Sequence, residues 1–246
     1  MYEERVLVYM DILGFTNAVK KTIECKETEN FLEIQRIDNF LGEVRFSLSI
    51  KDLFPNESPI KDRVTSQFSD SVVVSYSADN YFHHVLQDAY FLSVMALKKG
   101  FLLRGAIVYG KVIHSEEGKK LFGPAFLKAY DLERKEAKFP RIIIDESFLD
   151  KAKESYSKCP NSDDEYCGLE KMITYDFDGK PFVNYIDKLY TGVNVGIKGE
   201  REHLMCLNDS VKKLEDAMEE DAGIKCKYLW LKEKYDEVCK KHGCTP

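Results

Sequence analysis

Val6–Met10 is an unbroken apolar run that stops at Asp11, the pattern of a buried central strand whose last residue reaches the sheet edge. Gly14 and Thr16 follow and open a helical stretch from about Asn17. Phe31–Phe46 places Phe31, Ile34, Ile37, Phe40 and Leu41 at helical spacing. Ile50–Lys61, with Pro55 and Pro59, reads as a loop. Arg63–Phe68 and Ser71–Tyr76 are β-rich runs on either side of Ser69-Asp70, which predicts a hairpin with a tight polar turn. Asn80–Lys99 is an amphipathic helix stopped by Gly100. Phe101–Ile113 is strand-like and interrupted by Gly105 and Gly110. Pro124 stands at a first helical turn ahead of Ala125–Ala137, and Ile142–Ile144 is a short buried strand.

Strand, helix, hairpin, helix, strand, helix, strand predicts an α+β fold, a split βαβ sheet of ferredoxin-like type layered against helices. Beyond Phe148 the pattern weakens. Asn161–Glu165 reads as an exposed loop and Tyr175-Asp-Phe-Asp-Gly179 as a turn between short strands. Val211–Met218 and Lys225–Lys241 read as helices, with Leu229, Trp230 and Val238 as buried anchors. The expected organisation is a core over residues 1–148 and a C-terminal helical extension over 149–246 packed on it.

Composition changes this picture in two places. At 44% apolar and 32% charged residues the chain can bury a core under a solvated surface. Its net charge of -6 excludes a general nucleic-acid grip, which needs a basic stripe. A polyanionic ligand must therefore be neutralised locally, by metal ions or a few placed cations. No apolar run is long enough to cross a membrane, and the start MYEERVLVYMDILGF lacks the form of a signal peptide, so a cytoplasmic protein is expected. The seven cysteines match no zinc-knuckle spacing and read as reduced structural thiols.

Asp11 and Asp70 carry the candidate chemistry. In a split βαβ sheet the hairpin turn lies beside the end of the first strand, so the two carboxylates converge. Such a pair suits Mg²⁺ or Mn²⁺, which take hard oxygen ligands and share their shell with phosphates. Taken singly, Asp11 reads better as a helix N-cap and Asp70 as a turn residue; taken together, on neighbouring sheet edges, they point to the metal chemistry. Gly14, Phe15 and Thr16 would open a helix whose free amides and positive dipole end suit an anion.

Three segments in this order, Met10-Asp-Ile-Leu-Gly-Phe-Thr16, Phe68-Ser-Asp-Ser71 and Leu103-Arg-Gly-Ala-Ile-Val-Tyr-Gly110, resemble the class III adenylate/guanylate cyclase domains over roughly residues 5–145. The resemblance implies that Asp11 and Asp70, with the Ile12 carbonyl, hold two Mg²⁺ or Mn²⁺ ions per site. The implied reaction is attack of a ribose 3′-hydroxyl on the α-phosphorus of a nucleoside triphosphate, with pyrophosphate leaving. It also implies a head-to-tail homodimer with composite sites. Ser69 replaces the family's hairpin glycine.

Departures from the purine-cyclase pattern are equally specific. Ser66 stands where a Lys or Glu reads the base, and Lys120 where an Asp or Cys does. Leu127 and Asp131 stand where the family has its ribose-binding Asn and transition-state Arg. Gly123-Pro-Ala-Phe-Leu-Lys-Ala-Tyr-Asp-Leu-Glu133, Phe139-Pro-Arg-Ile142 and the late Lys227, Tyr228 and Trp230 are similar to the bacterial Pycsar-type pyrimidine cyclases of anti-phage defence. Arg104, Lys128 and Arg141 are candidate replacements for the missing arginine. The pocket expected for the substrate comprises Gly14, Phe15, Thr16, Ser66, Gln67, Arg104 and Lys128. Arg104 can only donate, which suits uracil O4 better than the cytosine amino group and favours UTP over CTP.

Three functions follow as expectations: a pyrimidine cyclase whose product acts on a downstream effector protein, a degenerate cyclase homology domain that binds a nucleotide or partner without turnover, and a polymerase-like palm. His83-His84 are set aside as metal ligands, since adjacent helical residues point about 100° apart.

Overall fold

The computed structural model describes residues 1–24, 27–53, 63–78, 82–115, 119–158, 168–187, 199–217 and 222–243. The elements are β1 (Glu3–Ile12), α1 (Phe15–Glu24), α2 (Glu27–Leu53), β2 (Arg63–Phe68), β3 (Ser71–Ser77), α3 (Phe82–Lys98) and β4 (Leu103–His114), followed by β5 (Leu121–Phe122), α4 (Pro124–Lys135), β6 (Ile142–Ile144) and α5 (Glu146–Tyr156). Then come β7 (Ile173–Tyr175), β8 (Pro181–Val183), α6 (Glu200–Ala217) and α7 (Ala222–His242). The chain is α+β, as the sequence predicts.

β1 is an interior strand of the sheet, third in the order β2-β3-β1-β4-β6-β8-β7, with β5 paired to the far end of β4. β1 runs antiparallel to both β3 and β4, and β2 antiparallel to β3. β1 and β2 are therefore parallel strands with β3 inserted between them, the split βαβ arrangement. β6 pairs in parallel with β4 and antiparallel with β8.

Alternation along β1 divides the core. Val6, Val8, Met10 and Ile12 face a large cluster that includes Phe40 and Val44 of α2 and Leu86, Ala89 and Leu92 of α3. Leu7 and Tyr9 point to the opposite face, where Val73, Val108 and Val112 meet Ala125 and Ala129 of α4. Small residues at that contact let α4 come close: a Cβ at Gly110 would stand 3.5 Å from the Ala125 Cβ. Gly105 is required by its neighbour strand, because a Cβ there would sit 2.2 Å from the Tyr9 carbonyl oxygen.

Several predicted boundaries move. α1 starts at Phe15, and α2 continues through Ile50–Leu53, four residues expected to be loop. The rest of that loop, the start of the Asn80–Lys99 helix and the Asn161–Glu165 loop fall outside the described residues. The region after residue 148 is not helical only: β7 and β8, flanking the predicted Tyr175–Gly179 turn, extend the same sheet past β6. Trp230 and Val238 are buried as expected, whereas Leu229 is exposed. The fully buried Arg141 clamps this region to the core. It meets Asp176 and, at 2.6 Å, Asp178 of the β7–β8 turn. Asp176 in turn accepts from the Trp230 Nε1–H at 2.6 Å, and the Trp230 ring stacks on Phe139 at 5.7 Å. No helix is long and apolar enough to cross a membrane among the described residues.

Candidate active site

The β1–β3 ladder places Asp11 opposite Ser71, one residue past Asp70. The Ile12 amide then donates to the Asp70 carbonyl at 3.2 Å. Backbone pairing thus brings Asp11 and Asp70 together at one end of the sheet, as predicted. The turn between β2 and β3 holds Ser69 at φ 54°, in the left-handed region, which explains why glycine would be at home there.

On the far side of Asp11 the β1–β4 register sets Arg104 directly opposite. Arg104 Nη2 donates to Asp11 Oδ2 at 3.2 Å, and the Ser71 hydroxyl donates to Oδ1, also at 3.2 Å. Arg104 Nε also stands 2.5 Å from Glu133 Oε1 of α4, close enough for an ion pair but without hydrogen-bond alignment. Burial, with Asp70 adding repulsion, pushes the Asp11 carboxyl above its ordinary range. Burial does the same to Glu133, and Asp11 and Asp70 oppose its ionisation further. Carboxylates crowded round one guanidinium form a site short of positive charge.

Gly14 turns the chain at φ 78° into α1. Its carbonyl accepts from the amides of Asn17 and Ala18 at 3.1 Å, while those of Gly14, Phe15 and Thr16 make no hydrogen bond among the described residues. These amides, with Asp11, Asp70 and Arg104, line a cleft of about 370 Å³. Its lining also includes Lys213 of α6 and Lys227 of α7.

The donor set fits a divalent ion shared with a ligand. Two carboxylates and a nearby backbone carbonyl supply hard oxygens, and both contacts already made by Asp11 are long enough to yield to a cation. Among the described residues no group of three or more acidic, His or Cys side chains converges to cage a metal by itself. Remaining ligands would come from water or a substrate's phosphates, as is usual for Mg²⁺.

Other predicted substrate residues are engaged in contacts of their own. Ser66 is two strands beyond β1, about 14 Å across the sheet from the β4 position level with it. Its hydroxyl is buried against His114 Nε2 at 2.9 Å, and His114 Nδ1 contacts the Ser75 hydroxyl at 2.9 Å. Arg104 therefore does not share a base pocket with Ser66; its guanidinium is engaged by two carboxylates. Gln67 meets Arg45 at 3.4 Å. Lys128 is paired with Asp145 at 2.6 Å and is absent from the cleft lining. Arg141 is the structural clamp already described, so it does not replace the missing arginine. Leu127 is exposed, and Asp131 pairs with Lys135 of its own helix at 3.0 Å. His83 Nδ1 meets the Tyr156 hydroxyl at 3.3 Å, and its ring lies 3.8 Å from that of His84.

Glu133 and the C-terminal lysines were not among the expected site residues. A signal for Glu133 exists in α4: Ala125 and Ala129 lie on its buried face, and the next position at that spacing is an acid. Nothing local in α6 marks Lys213, and Lys227 stands out in the sequence only through the Lys227, Tyr228 and Trp230 pattern, because their place in the cleft depends on how the C-terminal helices pack.

No protein-family model and no curated protein matches the chain. Among solved structures, it is similar to the guanylyl cyclase Cya2, with TM-score 0.45 and 14% identity over 61% of this chain and 79% of that one. It is also similar to the guanylyl cyclase domain of the RhoGC fusion protein from the aquatic fungus Blastocladiella emersonii, with TM-score 0.47 and 14% identity over 74% and 95% of the two chains. A rhodopsin-guanylyl cyclase core with converted specificity, in complex with ATPαS, gives TM-score 0.46 and 12% identity over 74% and 96%. At TM-scores below 0.5 these likenesses carry no argument about the chemistry of this chain.

Proposed function

We propose that this chain is a metal-dependent nucleotide cyclase that converts a pyrimidine nucleoside triphosphate into its 3′,5′-cyclic monophosphate and pyrophosphate. One observation carries the reading: strand register brings Asp11 and Asp70 together at the mouth of a cleft lined by the free amides of Gly14, Phe15 and Thr16. Asp11, Asp70 and the Ile12 carbonyl would hold Mg²⁺ or Mn²⁺. The metals would supply Lewis acidity at the 3′-hydroxyl and the triphosphate. The chain's own part is to place the α1 amides against phosphate oxygens and the carboxylates beside the reacting centre. The 3′-oxygen bonds to the α-phosphorus, its proton passes to solvent, and the α–β bridging bond breaks with its electron pair leaving on pyrophosphate.

The pyrimidine preference is supported by what the base-reading positions lack. Ser66 is short and already engaged by His114, and Lys120 is exposed. A buried purine edge left unpaired costs about 1–3 kcal/mol. The preference for UTP over CTP loses the support that Arg104 offered in the sequence, since Asp11 and Glu133 engage it. By the resemblance to Pycsar-type cyclases, the product would be a second messenger in anti-phage defence, read by an effector protein. Tyr2, Phe122, Leu127 and Tyr130 are exposed, and this apolar surface around α4 supports a homodimer with composite sites.

The test is incubation with each of four nucleoside triphosphates and Mn²⁺, with pyrophosphate release and product mass as readouts. Cyclic UMP or cyclic CMP formed faster than either purine product supports the proposal. Turnover faster with ATP or GTP overturns the base assignment. A linear dinucleotide product would mark a polymerase-like palm instead. Binding of a nucleotide without pyrophosphate release would mark a degenerate domain.

A further inference from the structure

Glu133 takes no part in holding the metal as read above, yet α4 delivers it to the same end of the sheet. Ala125, Ala129 and Glu133 form the buried face of that helix. The two alanines let it lie close on β1 and β4, against Leu7, Tyr9, Val108 and Val112. The next position at that spacing therefore carries a carboxylate into an enclosed place, where only 4% of its side chain is exposed. A charge so enclosed needs a cation held against it. Arg104 is that cation, and Arg134 of α4 itself acts on Glu133 more weakly.

Arg104 serves Glu133 incompletely. Its Nε stands 2.5 Å from Glu133 Oε1, but the pair is out of alignment, and neither atom has a hydrogen bond among the described residues. Nη2 of the same guanidinium is turned to Asp11 Oδ2 at 3.2 Å, the long limit for such a bond. One planar fork is thus stretched between a carboxylate on β1 and another on α4, and it closes on neither. A buried ion pair kept for stability alone aligns its donors with its acceptors. Asp70 bears on both Asp11 and Glu133 by repulsion, so three carboxylates share one guanidinium. A divalent cation supplies the charge that is missing.

We propose that Glu133 is a positioning residue of the metal site: it takes over Arg104 when Asp11 takes a divalent cation. Asp11 is then freed without leaving a buried guanidinium unpaired. Before that exchange Arg104 stands in for the cation at Asp11. The inference rests on the cyclase reading for the role of Asp11, and deepens it by naming what regulates occupancy of the site. Arg104 has little distance to cover. Its Nε already touches Glu133, and only the fork has to turn from one carboxylate to the other. Glu133 acts through Arg104 alone.

The test is Mg²⁺ titration calorimetry of the full chain, paired with NMR of the Arg104 Nε–H. Glu133→Gln leaves Arg104 to Asp11, so Mg²⁺ affinity should fall about tenfold. Arg104→Gln removes the resident cation, so affinity should rise. With Arg104→Gln already present, Glu133→Gln should change affinity by less than about twofold, because no arginine remains to be handed over. A merely structural bridge would not give opposite effects from its two members. Should Arg104→Gln fold poorly, the NMR decides alone. Mg²⁺ should move the Arg104 Nε–H downfield and slow its exchange with solvent in wild type, and do neither in Glu133→Gln. An equal loss from Glu133→Gln with and without Arg104, or an Nε–H that Mg²⁺ leaves unmoved, overturns the inference; turnover of a triphosphate in that case leaves the cyclase reading standing. A Glu133-dependent response of Arg104 to Mg²⁺ in a chain that cyclises no triphosphate upholds the inference and overturns the cyclase reading.

Discussion

Arg104 and Asp11 face each other across the β1–β4 ladder and meet at 3.2 Å, so the arginine partly neutralises a carboxylate that the metal would otherwise claim. Asp11 is also repelled by Asp70, and burial raises its pKa. A raised carboxyl pKa means the folded state binds the proton more tightly than the unfolded chain. Its contribution is therefore favourable at low pH and is lost as pH rises from the unfolded value through the folded one. Near neutrality the ionised Asp11 is therefore a burden on the fold.

Asp11→Asn should therefore fold with a melting temperature equal to or above that of wild type without metal. The same variant should lose the Mn²⁺-induced rise in melting temperature and lose pyrophosphate release. Thermal melts with and without Mn²⁺ check both halves. A variant that melts well below wild type yet still responds to Mn²⁺ would remove Asp11 from the site.

Gly105 is fixed by the approach of β1. A methyl group there would meet the Tyr9 carbonyl at 2.2 Å and the Met10 Cα at 3.2 Å, both rigid backbone. Gly105→Ala should destabilise by about 1–3 kcal/mol, since the strands must part to admit it. The parting falls beside the Asp11–Arg104 pair, so metal affinity should fall with stability. Denaturant unfolding and Mn²⁺ titration check the two effects.

The order of elements and the meeting of Asp11 with Asp70 were legible because both depend on local signals. Val6–Met10 is apolar, Ser69-Asp70 is a turn, and the split βαβ topology then forces their ends together. The separation of Ser66 from Arg104 was not legible, because it depends on which strands come to lie between them and on the long-range contact of Ser66 with His114. The same holds for Arg141, whose partners Asp176 and Trp230 are distant in sequence and meet only when the β7–β8 hairpin docks. Motif spacing places the two aspartates; packing at long range decides which cations reach them.

Asp176 is the keystone of that docking. Its carboxylate is fully buried and serves Arg141, Trp230 Nε1 and Lys234 together, the last at 3.4 Å. Asp176→Ala leaves a buried guanidinium with the more exposed Asp178 as its remaining charged partner. Removing one member of such a buried pair costs about 3–5 kcal/mol. The α7 anchor would loosen with it, so Trp230 fluorescence should shift to the red below the global unfolding transition. Asp178→Ala, at the rim, should cost less. Equal losses in the two variants would mean that Asp176 is not the organising group.

His114 sets the acid limit of the fold. It lies buried between the Ser66 and Ser75 hydroxyls, and Arg5 also donates to Ser75 at 3.0 Å. Burial, reinforced by the Arg5 charge, lowers its pKa from 6.5 to about 4. The folded state thus resists the proton that the unfolded chain accepts. The stability this contributes is intact above pH 6.5 and is lost as pH falls from 6.5 towards 4. At about pH 5 the loss should be on the order of 2 kcal/mol, from 1.36 kcal/mol per pKa unit. His84, also lowered to about 4 by burial and by His83, adds to the same limb and is less enclosed. His114→Gln keeps a donor and an acceptor for the two serines and cannot take the charge. Its stability should therefore vary less between pH 7 and pH 5 than that of wild type, measured by urea unfolding at both. If wild type and His114→Gln lose the same amount over that interval, the buried imidazole is not the group that titrates.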